Sequence, residues 1–117
     1  MRRFRWWPCL LTVLLSPAYA AEYSCIDYAS GVTTARGAEV VIQSFAGSSW
    51  IVLCSTASTE NGITADQCKT VYATLLSAQL THQQVQLWFS DALTCATQPA
   101  WGLSTGWYYG PEIVAGN

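Results

Sequence analysis

Between Thr64 and Ser90 the spacing of apolar residues switches from a helical period to a strand period. Cys68, Val71, Tyr72, Leu75 and Leu76 recur at steps of three and one, which draws one stripe along a helix, and Gln79 continues the row as a polar residue. Thr64 with Gln67 three positions on forms a capping box, and Asp66 sits in the first turn, where the helix dipole favours an acid. The pattern predicts a helix over residues 65–80. Complete burial of Val71, Tyr72, Leu75 and Leu76 would contribute roughly 6 to 12 kcal/mol before entropy is counted. Val85, Leu87 and Phe89 then alternate with Gln86, Trp88 and Ser90, the period of a strand with one face on a core. The connector Thr81 to Gln84 is so short that helix and strand must be neighbours.

Upstream, residues 22–28 alternate loosely, with Tyr23, Cys25 and Asp27 on one face and Ser24, Ile26 and Tyr28 on the other, and predict a first strand. Residues 32–34 are a short strand or part of a loop. Residues 39–45 and 50–54 are β-branched and aromatic runs separated by Ala46 to Ser49, a hairpin with a short glycine-containing loop. Residues 55–63 are polar, carry the Asn61-Gly62 turn signal, and are expected as an exposed loop. A final strand is expected over 105–109, or onward to 114 with a bulge or edge position at Gly110-Pro111. Strands, one helix and further strands make a small α+β domain, mostly β, with the helix on or plugging an antiparallel sheet.

The start of the chain changes what counts as the domain. Arg2, Arg3 and Arg5 precede the apolar run Trp6 to Leu15, and Ala18-Tyr19-Ala20 supplies a small-residue cleavage motif. Residues 1–20 therefore read as a secretory signal, Cys9 included, with signal-anchor retention as the alternative. Residues 21–117 are left as one domain without a membrane span, secreted or periplasmic. That remainder has two cations, Arg36 and Lys69, against seven acids, a formal net charge of −5. Such a balance excludes nucleic acid and anionic membranes as partners, since two scattered cations cannot neutralise either.

Four cysteines remain, Cys25, Cys54, Cys68 and Cys95. An even count in a short exported chain predicts two disulfides. Four cysteines allow three pairings, of which Cys25 with Cys54 and Cys68 with Cys95 is preferred. Zinc is the weaker reading, because no C-x-x-C pair occurs and His82 is the only histidine. No metal or cofactor is expected.

A catalytic reading starts from the same shortage. A hydroxyl nucleophile would need His82 as its base, and a histidine at a helix exit is explained more simply by the negative helix end or by solvent. The acids show no paired spacing, and no phosphate loop or nucleophile elbow is present. The expectation is a protein that is not an enzyme. The aromatic surplus points elsewhere. Trp50 and Trp107 are expected in the core, whereas Trp88 and Trp101 divide evenly between core and surface. Trp88 falls on the strand face opposite Val85, Leu87 and Phe89. Flat aromatic faces beside hydroxyls and amides suit sugars, which present an apolar C–H face ringed by hydroxyls. The candidate ligand-binding residues are Trp88, Ser90, Asp91, Gln98, Trp101 and Tyr108, with Thr97 nearby in sequence.

The stretches Tyr23-Ser-Cys25-Ile26, Ile51 to Cys54 and Val71 to Phe89, about a third of the chain, together with the Cys95 loop, resemble the B subunits of bacterial A-B toxins of the subtilase-cytotoxin and pertussis type. They are also similar to small secreted proteobacterial proteins of unknown role. The resemblance implies an OB-like five-stranded barrel with one helix, often assembled in a homo-oligomeric ring, and in the toxin branch recognition of cell-surface glycans. This chain departs from the family in a longer stretch between Cys25 and Cys54 and in Thr81-His82-Gln83, where a glycine is usual at the helix exit. The alternative function is an exported protein-interaction module, an inhibitor or envelope component with no sugar ligand. A small hydrolase ranks last.

Overall fold

In this computed structural model the structure describes residues 22–114. The expected signal segment and Cys9 lie outside the described residues. Six strands and one helix follow in order: β1 Tyr23–Tyr28, β2 Ser30–Thr34, β3 Glu39–Phe45, β4 Ser48–Ser55, α1 Ala65–Leu80, β5 Gln84–Phe89 and β6 Trp107–Ile113. They form two three-stranded antiparallel sheets, β1-β5-β6 and β2-β3-β4. Only the buried Ala29 separates β1 from β2, so one run of chain passes from the first sheet into the second.

The expected five-stranded barrel is not what forms: there are six strands, and they divide between two sheets that do not close. Residues 32–34, which the sequence allows as strand or loop, belong to the strand β2, and this brings the count to six. Along β4 the described residues show one parallel bridge, Val52 to Leu103, with Ser104 N donating to Val52 O at 2.8 Å. A single bridge covers the β4 edge without closing a cylinder.

The helix starts and stops where its sequence dictates. Thr64 Oγ1 accepts from Gln67 N at 3.2 Å, and Gln67 Oε1 accepts from Thr64 N at 2.9 Å, the reciprocal capping box. Cys68, Leu75 and Ala78 are fully buried, while Val71, Tyr72 and Leu76 pack half-buried against the core. The complete-burial figure therefore overstates what the stripe contributes. Gln79, the polar end of the stripe, accepts from Val32 N at 2.8 Å and so satisfies a donor on β2, an edge strand.

Phe45 pairs with Ser48, so the hairpin loop is only Ala46-Gly47, both at positive φ, and β4 begins two residues earlier than its apolar run. Two positive φ values describe the mirror-image turn that matches strand twist. Asp27 holds it from β1, its Oδ2 accepting from Ala46 N at 2.8 Å. Beneath the helix the two sheets share one core, which includes Val40, Ile42, Phe45, Leu53, Leu75 and Phe89.

Two disulfides are present, and they correct the preferred pairing. Cys25 joins Cys95 and Cys54 joins Cys68. Cys25 lies on β1, whose neighbour is β5, so the loop leaving β5 returns over β1 and delivers Cys95 to it. Cys54 ends the other sheet, where the first turn of α1 sets Cys68 upon it. Separations of 70 and 14 residues correspond to about 4 and about 3 kcal/mol in the chain-entropy account.

Candidate functional site

The loop from Ser90 to Gly106 carries most of the polar residues singled out in the sequence, and the structure turns several of them inward. Tyr23 on β1 donates its phenolic proton to Asp91. Gln98, only 7% exposed, donates from Nε2 to the Tyr23 oxygen at 2.7 Å and to Thr94 O at 3.1 Å. Gln98 Oε1 accepts from Ser104 Oγ at 2.7 Å, and Gln98 N donates to Ser48 Oγ at 3.0 Å. Ser48 in turn donates to Cys95 O at 2.8 Å. Burial first, and the Asp91 carboxylate second, push the Tyr23 phenol up to about 12. Asp91 and Gln98 thus fasten the loop to β1 and β4. Ser90 N donates to Gly106 O at 2.8 Å and extends the β5–β6 ladder by one residue.

Trp88 and Tyr108 lie on the outer face of the β1-β5-β6 sheet. Trp88 pairs with Ser24 on one side and Tyr109 on the other. The register slips on both sides of Trp88, so Trp107 faces Phe89 and Tyr109 faces Trp88, with Tyr108 the extra residue of a bulge. Trp107 is in the core as expected, whereas Tyr108 and Tyr109 are 49% and 58% exposed. The Trp88 indole is half-buried, and its Nε1 is shielded from solvent with no hydrogen-bond partner. Desolvation and the adjacent Glu22 carboxylate push the Tyr108 phenol upward.

Trp101 belongs to a different feature. Its ring stacks on Trp50 of β4 with centroids 4.6 Å apart and planes 16° apart, while 59% of Trp101 stays exposed. Trp101 N donates to Trp50 O at 2.9 Å. Both tryptophans have left-handed backbone, φ +55° at Trp50 and +60° at Trp101, a region that bulky residues rarely occupy. Trp50 is therefore not the core residue its setting in a β-branched run predicts. Opposite it on β3, between the pairs Ser44–Ser49 and Ile42–Ile51, lies the exposed Gln43. Gly31 on β2 makes room for Gln43, because a Cβ there would stand 2.5 Å from the Gln43 Cβ.

The sequence carries no periodic signal for Trp50, Gln43 or Tyr109 as surface residues. The loop tryptophan was legible as a candidate, but its partner depends on backbone angles that composition does not encode. His82 stacks on Tyr28 beside a cavity of about 150 Å³ lined also by Ser30, Gln79 and Gln83. Among the described residues no group of three or more His, Cys, Asp or Glu side chains could hold a metal ion, and no helix is long and apolar enough to cross a membrane.

Comparison with known proteins finds no matching family model, no matching curated protein and no matching solved structure.

Proposed function

We propose that this protein is an exported, non-catalytic glycan-binding domain of the toxin B-subunit kind, with Trp101 as its sugar platform. The observation that carries the reading is the Trp50–Trp101 stack, in which two bulky residues hold left-handed backbone to present one flat indole face to solvent. Such backbone costs about 1 to 3 kcal/mol per residue and persists where the surroundings enforce it. An exposed aromatic face held in this way suits the apolar face of a pyranose. An OB-like reading is supported by the run of chain that passes between the sheets at Ala29, the helix between β4 and β5, and the parallel bridge from β4 to the stretch before β6. Fold likeness alone does not assign function, so the platform and not the topology bears the weight. Two disulfides fit an oxidising compartment, in keeping with export.

The test is a multivalent glycan-array screen of the folded domain beside Trp101→Ala, with circular dichroism and solution mass on both samples. Binding that Trp101→Ala removes while the fold persists is the expected result, and a ring assembly would appear in the mass. Binding unchanged by the substitution would place the site elsewhere, and no binding at all would end the glycan reading. In that event the second reading gains, an exported protein-interaction module using the outer face of β1-β5-β6, where Tyr108 and Tyr109 are about half exposed beside Trp88.

A further inference from the structure

We infer that the Trp50–Trp101 platform selects neutral sugar residues and rejects sialylated or sulfated ones, an inference that rests on the glycan-binding reading above. The segments that build the platform contain no charged side chain. Residues 40–59, which hold β4 and Gln43, have no Asp, Glu, Lys, Arg or His, and neither do residues 92–111, which hold Trp101. Ser49, next to Trp50 on β4, is exposed and offers a neutral hydroxyl. A hydroxyl donates and accepts without charge, as suits the reading of sugar hydroxyl groups.

An anionic glycan would find nothing there to replace the water lost from its carboxylate or sulfate. Lysine and arginine supply the charge-assisted hydrogen bonds that usually do so. The described residues contain two such cations. Lys69 is on the helix, 3.5 Å from Asp66. Arg36 is in the turn before β3, beyond Glu39, which stands about 13 Å along the strand from Gln43 at the usual rise per residue. Seven acids against these two cations give the domain a negative field that repels a sialylated or sulfated chain at long range. Trp50 occupies one face of Trp101, so a single sugar ring stacks on the other. A one-sided stack is weak as a single contact, and multivalent display is needed to read it.

The experiment compares matched glycans that share one core and end in a neutral hexose, a sialic acid or a sulfated hexose, each displayed multivalently, against the folded protein, Trp101→Ala and Trp101→Asn. Asn is included because it tolerates left-handed backbone and keeps the loop in place. The neutral member should bind at least tenfold more tightly than either acidic one, and both variants should lose that binding. Equal or tighter binding of an acidic member, lost in both variants, overturns the neutral-sugar inference and leaves the glycan reading standing. Neutral binding that survives in both variants overturns it as well, by removing the platform from recognition. Silence from all three glycans overturns the inference and the glycan reading together.

Discussion

His82 lies flat on Tyr28, with ring centroids 4.4 Å apart and planes 11° apart. The stack is held at the first residue past the helix cap, where Gln83 N donates to Ala78 O at 2.8 Å and His82 N to Gln79 O at 3.3 Å. That pair of bonds is the Schellman closure, which needs left-handed backbone and usually takes glycine, yet His82 adopts φ +51°. Replacing His82 by Ala keeps the backbone penalty and loses the stack, worth about 0.5 to 1.5 kcal/mol. Replacing it by Gly loses the stack but relieves the penalty, worth about 1 kcal/mol or more. His82→Gly is therefore expected near the wild-type stability in urea unfolding, with His82→Ala less stable than it by about 1 kcal/mol. An alanine variant as stable as the glycine one would remove this explanation of the turn.

Tyr23 supplies a pH dependence. Its folded pKa, about 12, lies above the ordinary value of 10, because burial and Asp91 favour the neutral phenol. The folded protein then holds a proton between those values that the unfolded chain releases. Stability from this group is complete below pH 10 and is lost as pH rises from 10 toward 12. Tyr23→Phe should abolish this decline in denaturant midpoints across that window. At neutral pH the same variant should lose about 1.5 to 3 kcal/mol, the usual worth of a hydrogen bond to a charged partner.

The disulfide pairing can be read from one digest. Trypsin has two sites in the domain, after Arg36 and after Lys69, and they separate Cys25, the pair Cys54 with Cys68, and Cys95 into three peptides. With Cys25 joined to Cys95 and Cys54 to Cys68, unreduced protein should release residues 37–69 as a free, internally bridged peptide. The peptide ending at Arg36 should remain attached to the one beginning at Thr70. A single species holding all three peptides would contradict the pairing.

These outcomes separate what was legible in the sequence from what was not. The helix was legible to its caps, because Thr64, Gln67 and the apolar stripe act within one or two turns of chain. The alternation around Leu87 likewise fixed which face of β5 is buried. Two disulfides were legible from four cysteines, but their pairing was not, since it depends on which strand neighbours β1, a matter of sheet order and not of spacing. Asp91 and Gln98 carry the right chemistry for sugar hydroxyls, but Tyr23, 68 and 75 residues away, takes both. Trp50 sits in a run that reads as core, and only its left-handed backbone turns the ring outward onto Trp101.

Gly106 tests whether the Tyr23 network is one unit. Gly106 is buried, and a Cβ there would overlap the Asp91 carboxylate and stand 2.6 Å from the Asp91 Cβ. Gly106→Ala must therefore push Asp91 aside, which costs about 1 to 3 kcal/mol as overpacking. Moving Asp91 also breaks its bond from Tyr23, the same interaction that Tyr23→Phe removes. Groups in one hydrogen-bond network couple, whereas distant sites add. The double variant Gly106→Ala with Tyr23→Phe should thus be more stable than the sum of the single losses implies, by about 1 kcal/mol in urea unfolding. Tyr23 in Gly106→Ala should also titrate closer to 10, visible in the ultraviolet absorbance of tyrosinate. Simple additivity with an unshifted Tyr23 would mean that the glycine serves only local packing and that Asp91 keeps its place.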